Sequence, residues 1–259
     1  MRSRAATPLA AAVQVLGCPS TLGPSLVQRL AIVCGEVKAE LSTFAQGSSY
    51  TDLGGPSDVR GVHLFHLWGR LWTASVVLMT DLTGKKVAFL LKRGVEQPEL
   101  TEPWATLESA GAQPVLVSEE PGTITALIHD WDRGDDFTVD LTLDEADPAD
   151  FDALVLPGGT LNSDKIRNNP QAIAFVRAFF DADKPVASIC HGPWIMIEAG
   201  AVAGRKLTST TRISTDLKNA GAEWTDAEVV VDGNLLSSRS PRDLPAFNAA
   251  LVELIGGRG

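Results

Sequence analysis

The residues best suited to chemistry stand together at Ser188-Ile189-Cys190-His191-Gly192. Residues 185–189 read as a short buried strand and residues 193–199 as a helix, so Cys190 falls on the sharp turn between them. A thiol placed there sits at the rim of a sheet, beside the N–H groups that open a helix. Those groups and the helix dipole favour an anion, which predicts a lowered thiol pKa and a reactive thiolate. The spacing is close to the G-x-C-x-G form of a nucleophile elbow, with Gly192 allowing close backbone approach beneath the turn. The plain alternative is a buried cysteine acting as a small hydrophobe. His191 reads either as a structural histidine or as a general base near the thiol, provided that an acid orients it. Its backbone N–H is a separate candidate for an oxyanion hole.

Other residues are expected to converge on that turn. Glu96 follows the first strand and should point into the same crevice. There it is either a solvated helix-start carboxylate or a carboxyl held protonated by burial beside the thiol. Gly158 and Gly159 close the third strand, and their N–H groups can serve a tight turn or an oxyanion. Asp164 is either a helix cap or the acid that orients His191. The four histidines and three cysteines form no HExxH and no CxxC, so neither a metal site nor a cofactor is expected.

The elements that must position these groups begin at residue 85. Lys85-Lys86-Val87-Ala88-Phe89-Leu90-Leu91 is a near-continuous apolar run, as in a strand covered on both faces. Glu96 to Ala110 reads as a helix, with Leu100, Trp104 and Leu107 on one face, a bend or reset at Pro103 and a stop at Gly111. Further strands are predicted at 114–118, 151–156, 186–189, 207–209, 228–232 and 235–238, and a β-excursion with an acidic tip over 122–141. Helices are predicted after a cap at Asn168 or Asn169 with Pro170 at or near the first turn, over 213–220 and after Ser240-Pro241. Strands alternating with helices imply parallel βαβ units, hence an α/β fold, a three-layer α/β/α sandwich. In such sheets ligands gather at the carboxyl ends of the strands.

Composition narrows the class. The net charge of -10 and pI near 4.9 argue against a nucleic-acid binder. Three cysteines without a pairing pattern argue for a reducing, cytoplasmic setting. Residues 1–78 stand apart, with six Lys/Arg against four Asp/Glu, where residues 79–259 hold sixteen against twenty-eight. Val15-Leu16-Gly17-Cys18 faintly resembles a lipoprotein cleavage site, but Pro8 and Gln14 weaken the apolar run before it. Arg70 within the apolar stretch 62–78 argues against a membrane span. We therefore expect a poorly structured extension or misassigned start over 1–78, and one α/β domain over 79–259.

Five stretches carry a family resemblance. They are Gly94-Val95-Glu96-Gln97-Pro98-Glu99-Leu100, Asp152-Ala153-Leu154-Val155-Leu156-Pro157-Gly158-Gly159, Val186-Ala187-Ser188-Ile189-Cys190-His191-Gly192-Pro193, Asn219-Ala220-Gly221-Ala222-Glu223-Trp224 and Ser237-Ser238-Arg239-Ser240-Pro241-Arg242-Asp243-Leu244. From about Lys85 to Leu254 the chain resembles the PfpI family of intracellular cysteine peptidases, whose wider superfamily includes the Parkinson-associated deglycase and glyoxalase-III-like enzymes. The resemblance implies a flavodoxin-like fold, Cys190 as nucleophile, His191 as its neighbour and Glu96 as the carboxyl near the thiol. It also implies a homo-oligomer, dimer or hexamer, in which Asp164 reaches the histidine of a neighbouring subunit. No histidine follows His191, which argues against a glutamine amidotransferase triad, and the absence of G-x-S-x-G argues against an α/β-hydrolase. Three readings remain: an enzyme forming a hemithioacetal with small reactive carbonyls, a peptidase forming an acyl-enzyme, and a redox sensor or holdase. A thiol crowded by a carboxyl suits a small aldehyde better than a peptide.

Overall fold

The computed structural model describes residues 80–257, and the readings made for residues 1–78 lie outside them. In chain order the elements are β1 (Lys86–Leu90), α1 (Gln97–Ser109), β2 (Gln113–Ser118), β3 (Thr123–Ile128), β4 (Asp132–Thr138), β5 (Leu141–Thr142), β6 (Ala153–Leu156), α2 (Thr160–Ile166), α3 (Pro170–Asp181), β7 (Val186–Ile189), α4 (Pro193–Glu198), β8 (Lys206–Leu207), α5 (Ser214–Asn219), β9 (Glu223–Trp224), β10 (Val229–Asp232), β11 (Leu235–Ser238) and α6 (Leu244–Gly256).

Seven strands form the main sheet, in the order β10-β11-β7-β6-β1-β2-β5. Every pairing in it is parallel except the β10–β11 hairpin. Side chains alternate across each strand. Ala88 and Leu90 of β1 pack with Phe175, Val176 and Phe179 of α3 on one face. Val87 and Phe89 pack with Leu100 and Leu107 of α1 and with Phe247 and Leu251 of α6 on the other. Both strand faces are therefore dry, which explains why the strands read as unbroken apolar runs. The expected three-layer α/β/α arrangement is present.

Local chemistry sets the helix ends. The Asn169 carboxamide accepts from the N–H groups of Gln171 and Ala172, and Pro170 opens α3 where no N–H is needed. Pro103 lies within α1 without dividing it. The segment expected to start the last helix at Pro241 is a short 3-10 turn, Pro241–Asp243, and α6 proper begins at Leu244. After Gly159 the chain is helical at once, in α2. Its buried Asn162 accepts from the Lys92 N–H at 2.8 Å and donates to the Gly158 carbonyl at 2.9 Å. One side chain thus ties the loop leaving β1 to the turn leaving β6.

Strand order reverses between β1 and β6: from β1 the chain builds outward through β2 and β5, and from β6 through β7 and β11. This is the topological switch point, where the loops leaving neighbouring strands part and open a crevice at their carboxyl ends. Glu96, Gly158 and Cys190 all follow strands at that edge. The core behind it relies on aromatic packing: Phe179 is fully buried, with its ring 5.3 Å from that of Phe175. Phe179→Ala should lower stability by about 3–5 kcal/mol through lost burial and an unfilled cavity, read as a lower urea midpoint at unchanged slope.

Candidate active site

Cys190 occupies the left-handed region, with φ at 60°, a strained conformation for a residue with a Cβ. Neighbouring loops hold it there. Its N–H donates to the Ser238 carbonyl at 3.1 Å, and its own carbonyl accepts from the Thr210 N–H at 3.1 Å. Beneath the turn, a Cβ on Gly192 would lie 2.4 Å from the Leu156 carbonyl oxygen. Only glycine lets the elbow sit this close to the adjacent strand. The expected elbow geometry is therefore what the chain adopts, with half-buried Cys190 in the wall of a cleft of about 450 Å³.

The carboxyl beside the thiol is Glu99, not Glu96. Both residues belong to the loop-to-helix segment after β1, three positions apart, which places them almost one turn from each other. Glu99 is fully buried. One of its oxygens accepts from the Gly158 N–H at 2.8 Å, and the other is buried with no hydrogen-bond partner among the described residues. A Cβ on Gly158 would lie 2.6 Å from the Glu99 carboxyl and 2.7 Å from the Cys190 Cβ. Glycine is thus required where carboxyl, thiol turn and β6 turn meet. Burial raises the Glu99 pKa to about 8 despite the Gly158 hydrogen bond.

The thiol itself is pushed up, against the expectation of a lowered value. Burial is the main cause, followed by the charges that Glu99 and Asp130 would carry, and only the His191 backbone N–H works the other way. Two acids this close in a dry site resist carrying two charges, so the pair keeps at least one proton near neutrality. A thiolate forms there most readily while Glu99 holds the proton.

Glu96 has a different task. Its two oxygens accept from the N–H groups of His129 and Asp130, each at 2.9 Å. His129 and Asp130 form the tip of the β3–β4 hairpin, both with positive φ, at 57° and 62°. Such a tip ordinarily takes Gly or Asn, so Glu96 holds a strained turn in place. Asp130 is thereby carried across the cleft, where its carboxylate accepts from the Thr160 N–H at 2.6 Å and the Thr160 hydroxyl at 2.9 Å.

His191 completes the set. Its Nδ1 lies 3.3 Å from the Cys190 Sγ, and its Nε2 lies 3.4 Å from the Thr160 hydroxyl. The same hydroxyl lies 3.5 Å from Nδ1, and with its hydrogen directed to Asp130 it can accept a ring N–H. The tautomer protonated at Nε2 is the one that leaves the Nδ1 lone pair facing the thiol. Burial lowers the His191 pKa, so the ring is neutral and able to take a proton near pH 7. Asp164, expected to serve this histidine, stands exposed on α2, and Asp130 is the acid on the His191 side within the chain. The Gly158 N–H, expected as an oxyanion donor, is committed to Glu99, while Gly159 lines the cleft. Among the described residues, no group of three His, Cys, Asp or Glu side chains is placed to hold a metal ion.

The DJ-1/PfpI family model matches residues 85–254. The chain belongs to the DJ-1/PfpI family. Within it, the chain is 48% identical to Deglycase PH1704 of Pyrococcus horikoshii over 170 residues, covering 66% of this chain and 99% of that one. It is 41% identical to Protein/nucleic acid deglycase 2 of Escherichia coli over 174 residues, covering 66% and 98%. Among solved structures, a two-domain protein from Anabaena variabilis with DJ-1/ThiJ/PfpI-like and ferritin-like domains matches with TM-score 0.63 at 37% identity. That match covers 66% of this chain and 48% of the longer one. Among the described residues, no helix is long and apolar enough to cross a membrane.

Two outcomes follow from this arrangement. Glu99 folds with a pKa near 8 against an ordinary 4.5, so the folded state binds the extra proton between those values, and stability falls as pH rises through them. Urea unfolding at pH 5 and pH 8.5 should show wild type losing up to about 4 kcal/mol more than Glu99→Gln, whose stability should vary less over that window. Glu96→Gln keeps size but offers one acceptor oxygen to two N–H groups. Amide exchange at His129 or Asp130 should then accelerate by about tenfold, with the Gly158 amide unchanged.

Proposed function

We propose that this chain is a cysteine-dependent enzyme acting on small reactive carbonyls, of the kind its deglycase-named relatives indicate. The observation that carries the reading is the His191 Nδ1 at 3.3 Å from the Cys190 Sγ, with the protonated Glu99 carboxyl on the other side. With a 2-oxoaldehyde, the thiol proton passes to His191 as sulfur attacks the aldehyde carbon, and the resulting oxyanion is protonated to give a hemithioacetal. A proton then leaves that carbon and returns to the adjacent keto carbon, so one carbon is oxidised as its neighbour is reduced. Water cleaves the resulting thioester to a 2-hydroxy acid and regenerates the thiol.

Neutral His191 is the base suited to the first transfer, and Glu99 is the carboxyl suited to stabilising the thiolate and returning protons. Gly159 at the cleft wall is the backbone group suited to the oxyanion. A recessed thiol bounded by Glu99 favours a two- or three-carbon aldehyde over a peptide segment. Asp164 remains available to a second subunit, and a homo-oligomer belongs to this reading.

Wild type and Cys190→Ala should be assayed together on methylglyoxal and on an unfolded peptide. Lactate formation should be present in wild type and fall to background in the variant, with a loss of at least about a hundredfold. Lactate formation retained by the variant, or peptide cleavage without any carbonyl turnover in wild type, would sink the proposal.

A further inference from the structure

The cleft above Cys190 also carries two arginines. Arg212 comes from the 3-10 turn Thr211–Ile213 after β8, and Arg242 from the turn Pro241–Asp243 after β11. Both are exposed, and neither has a hydrogen bond or ion-pair partner among the described residues. Four other arginines find carboxylates: Arg133 pairs with Asp136, Arg167 with Glu198, Arg205 with Asp232, and Arg239 with Asp226 and Asp243.

Acids in the same cleft make no ion pair with them, because their oxygens are held elsewhere. Glu96 is occupied by the His129 and Asp130 N–H groups, and Asp130 by Thr160. Glu99 is buried beneath Gly158. Two guanidinium forks therefore face a cleft of about 450 Å³ that holds the reactive sulfur. The guanidinium group binds carboxylate and phosphate oxygens in pairs, and it does so best where water is partly excluded. A cleft of this size is at the small end of ligand sites, which commonly run from about 300 to 1,000 Å³.

We infer that Arg212 and Arg242 form an anion subsite, and that the carbonyl substrate carries a carboxylate or phosphate beside its aldehyde. The substrate class rests on the reading of Cys190 as a carbonyl-attacking thiol, while the anion subsite does not.

The test separates the two. Iodoacetate and iodoacetamide alkylate a thiol by the same displacement: sulfur bonds to the methylene carbon, iodide leaves and the thiol proton is released. They differ in charge. The iodoacetate-to-iodoacetamide rate ratio at Cys190 should be about tenfold higher in wild type than in Arg212→Gln/Arg242→Gln. Inorganic phosphate and acetate, added separately, should slow iodoacetate alkylation in wild type only, and the stronger competitor identifies the anion preferred. Arg212→Lys/Arg242→Lys keeps the charge but loses the forks, and should lose most of that protection.

Equal ratios in wild type and the Gln variant, or full protection in the Lys variant, would overturn the subsite. For the substrate class, 4,5-dioxovalerate, a 2-oxoaldehyde bearing a carboxylate, should show a higher kcat/KM than methylglyoxal in wild type, and the Gln variant should lose the advantage. No preference for it would overturn the class. Turnover of neither carbonyl, with the alkylation preference intact, would fail the proposed function and support the subsite.

Discussion

A carboxyl group sealed away from water must keep its proton or meet a cation, and Glu99 meets none. It meets the Gly158 N–H and the Cys190 thiol instead. That constraint governs much of the site. Two acids sharing a dry space hold at least one proton between them, so the sulfur ionises most readily while the carboxyl stays neutral. The β6 turn must bring its N–H to the carboxyl without a side chain in the way, and glycine at 158 does so. The cysteine must lie across the same point, and the strained elbow, tied to Ser238 and Thr210, holds it there. The neutral His191 ring meets the same sulfur, with Nδ1 3.3 Å away.

The fold answers this need with three strand ends at one switch point. β1 leads to Glu99 through the first turn of α1, β6 to Gly158, and β7 to Cys190. Asn162 on α2 fastens the first two loops to each other. The β3–β4 hairpin stands outside the main sheet and reaches back over the cleft, and it supplies the acid that Thr160 relays to His191.

Much of this was legible in the chain. Strands dry on both faces announce themselves as unbroken apolar runs, and Cys190 between such a strand and a helix start is readable as an elbow. Glu96 and Glu99 were harder to separate. Both are carboxylates just after the first strand, and the choice depends on where the helix begins. Placing the first turn at Gln97 turns Glu99 inward and leaves Glu96 facing the hairpin. A helix start at Glu96 hides the distinction. Asp130 was visible only as one of several acids in a polar excursion, because nothing local says that a hairpin tip folds back upon a turn thirty residues later. Arg212 and Arg242 are likewise ordinary surface arginines until tertiary structure sets them around one cavity.

The hairpin tip has a bearing on how this site can change over generations. His129 and Asp130 adopt a turn that glycine or asparagine would accept without support. They hold it because Glu96 receives both of their N–H groups. Positions 96, 129 and 130 are thus coupled physically, although more than thirty residues separate the first from the others. A drift at 96 that would be neutral on an ordinary helix start here loosens the reach of Asp130, and through Thr160 the orientation of the imidazole. A glycine arriving first at 129 or 130 would release position 96 to vary, making the order of substitutions as consequential as their identity.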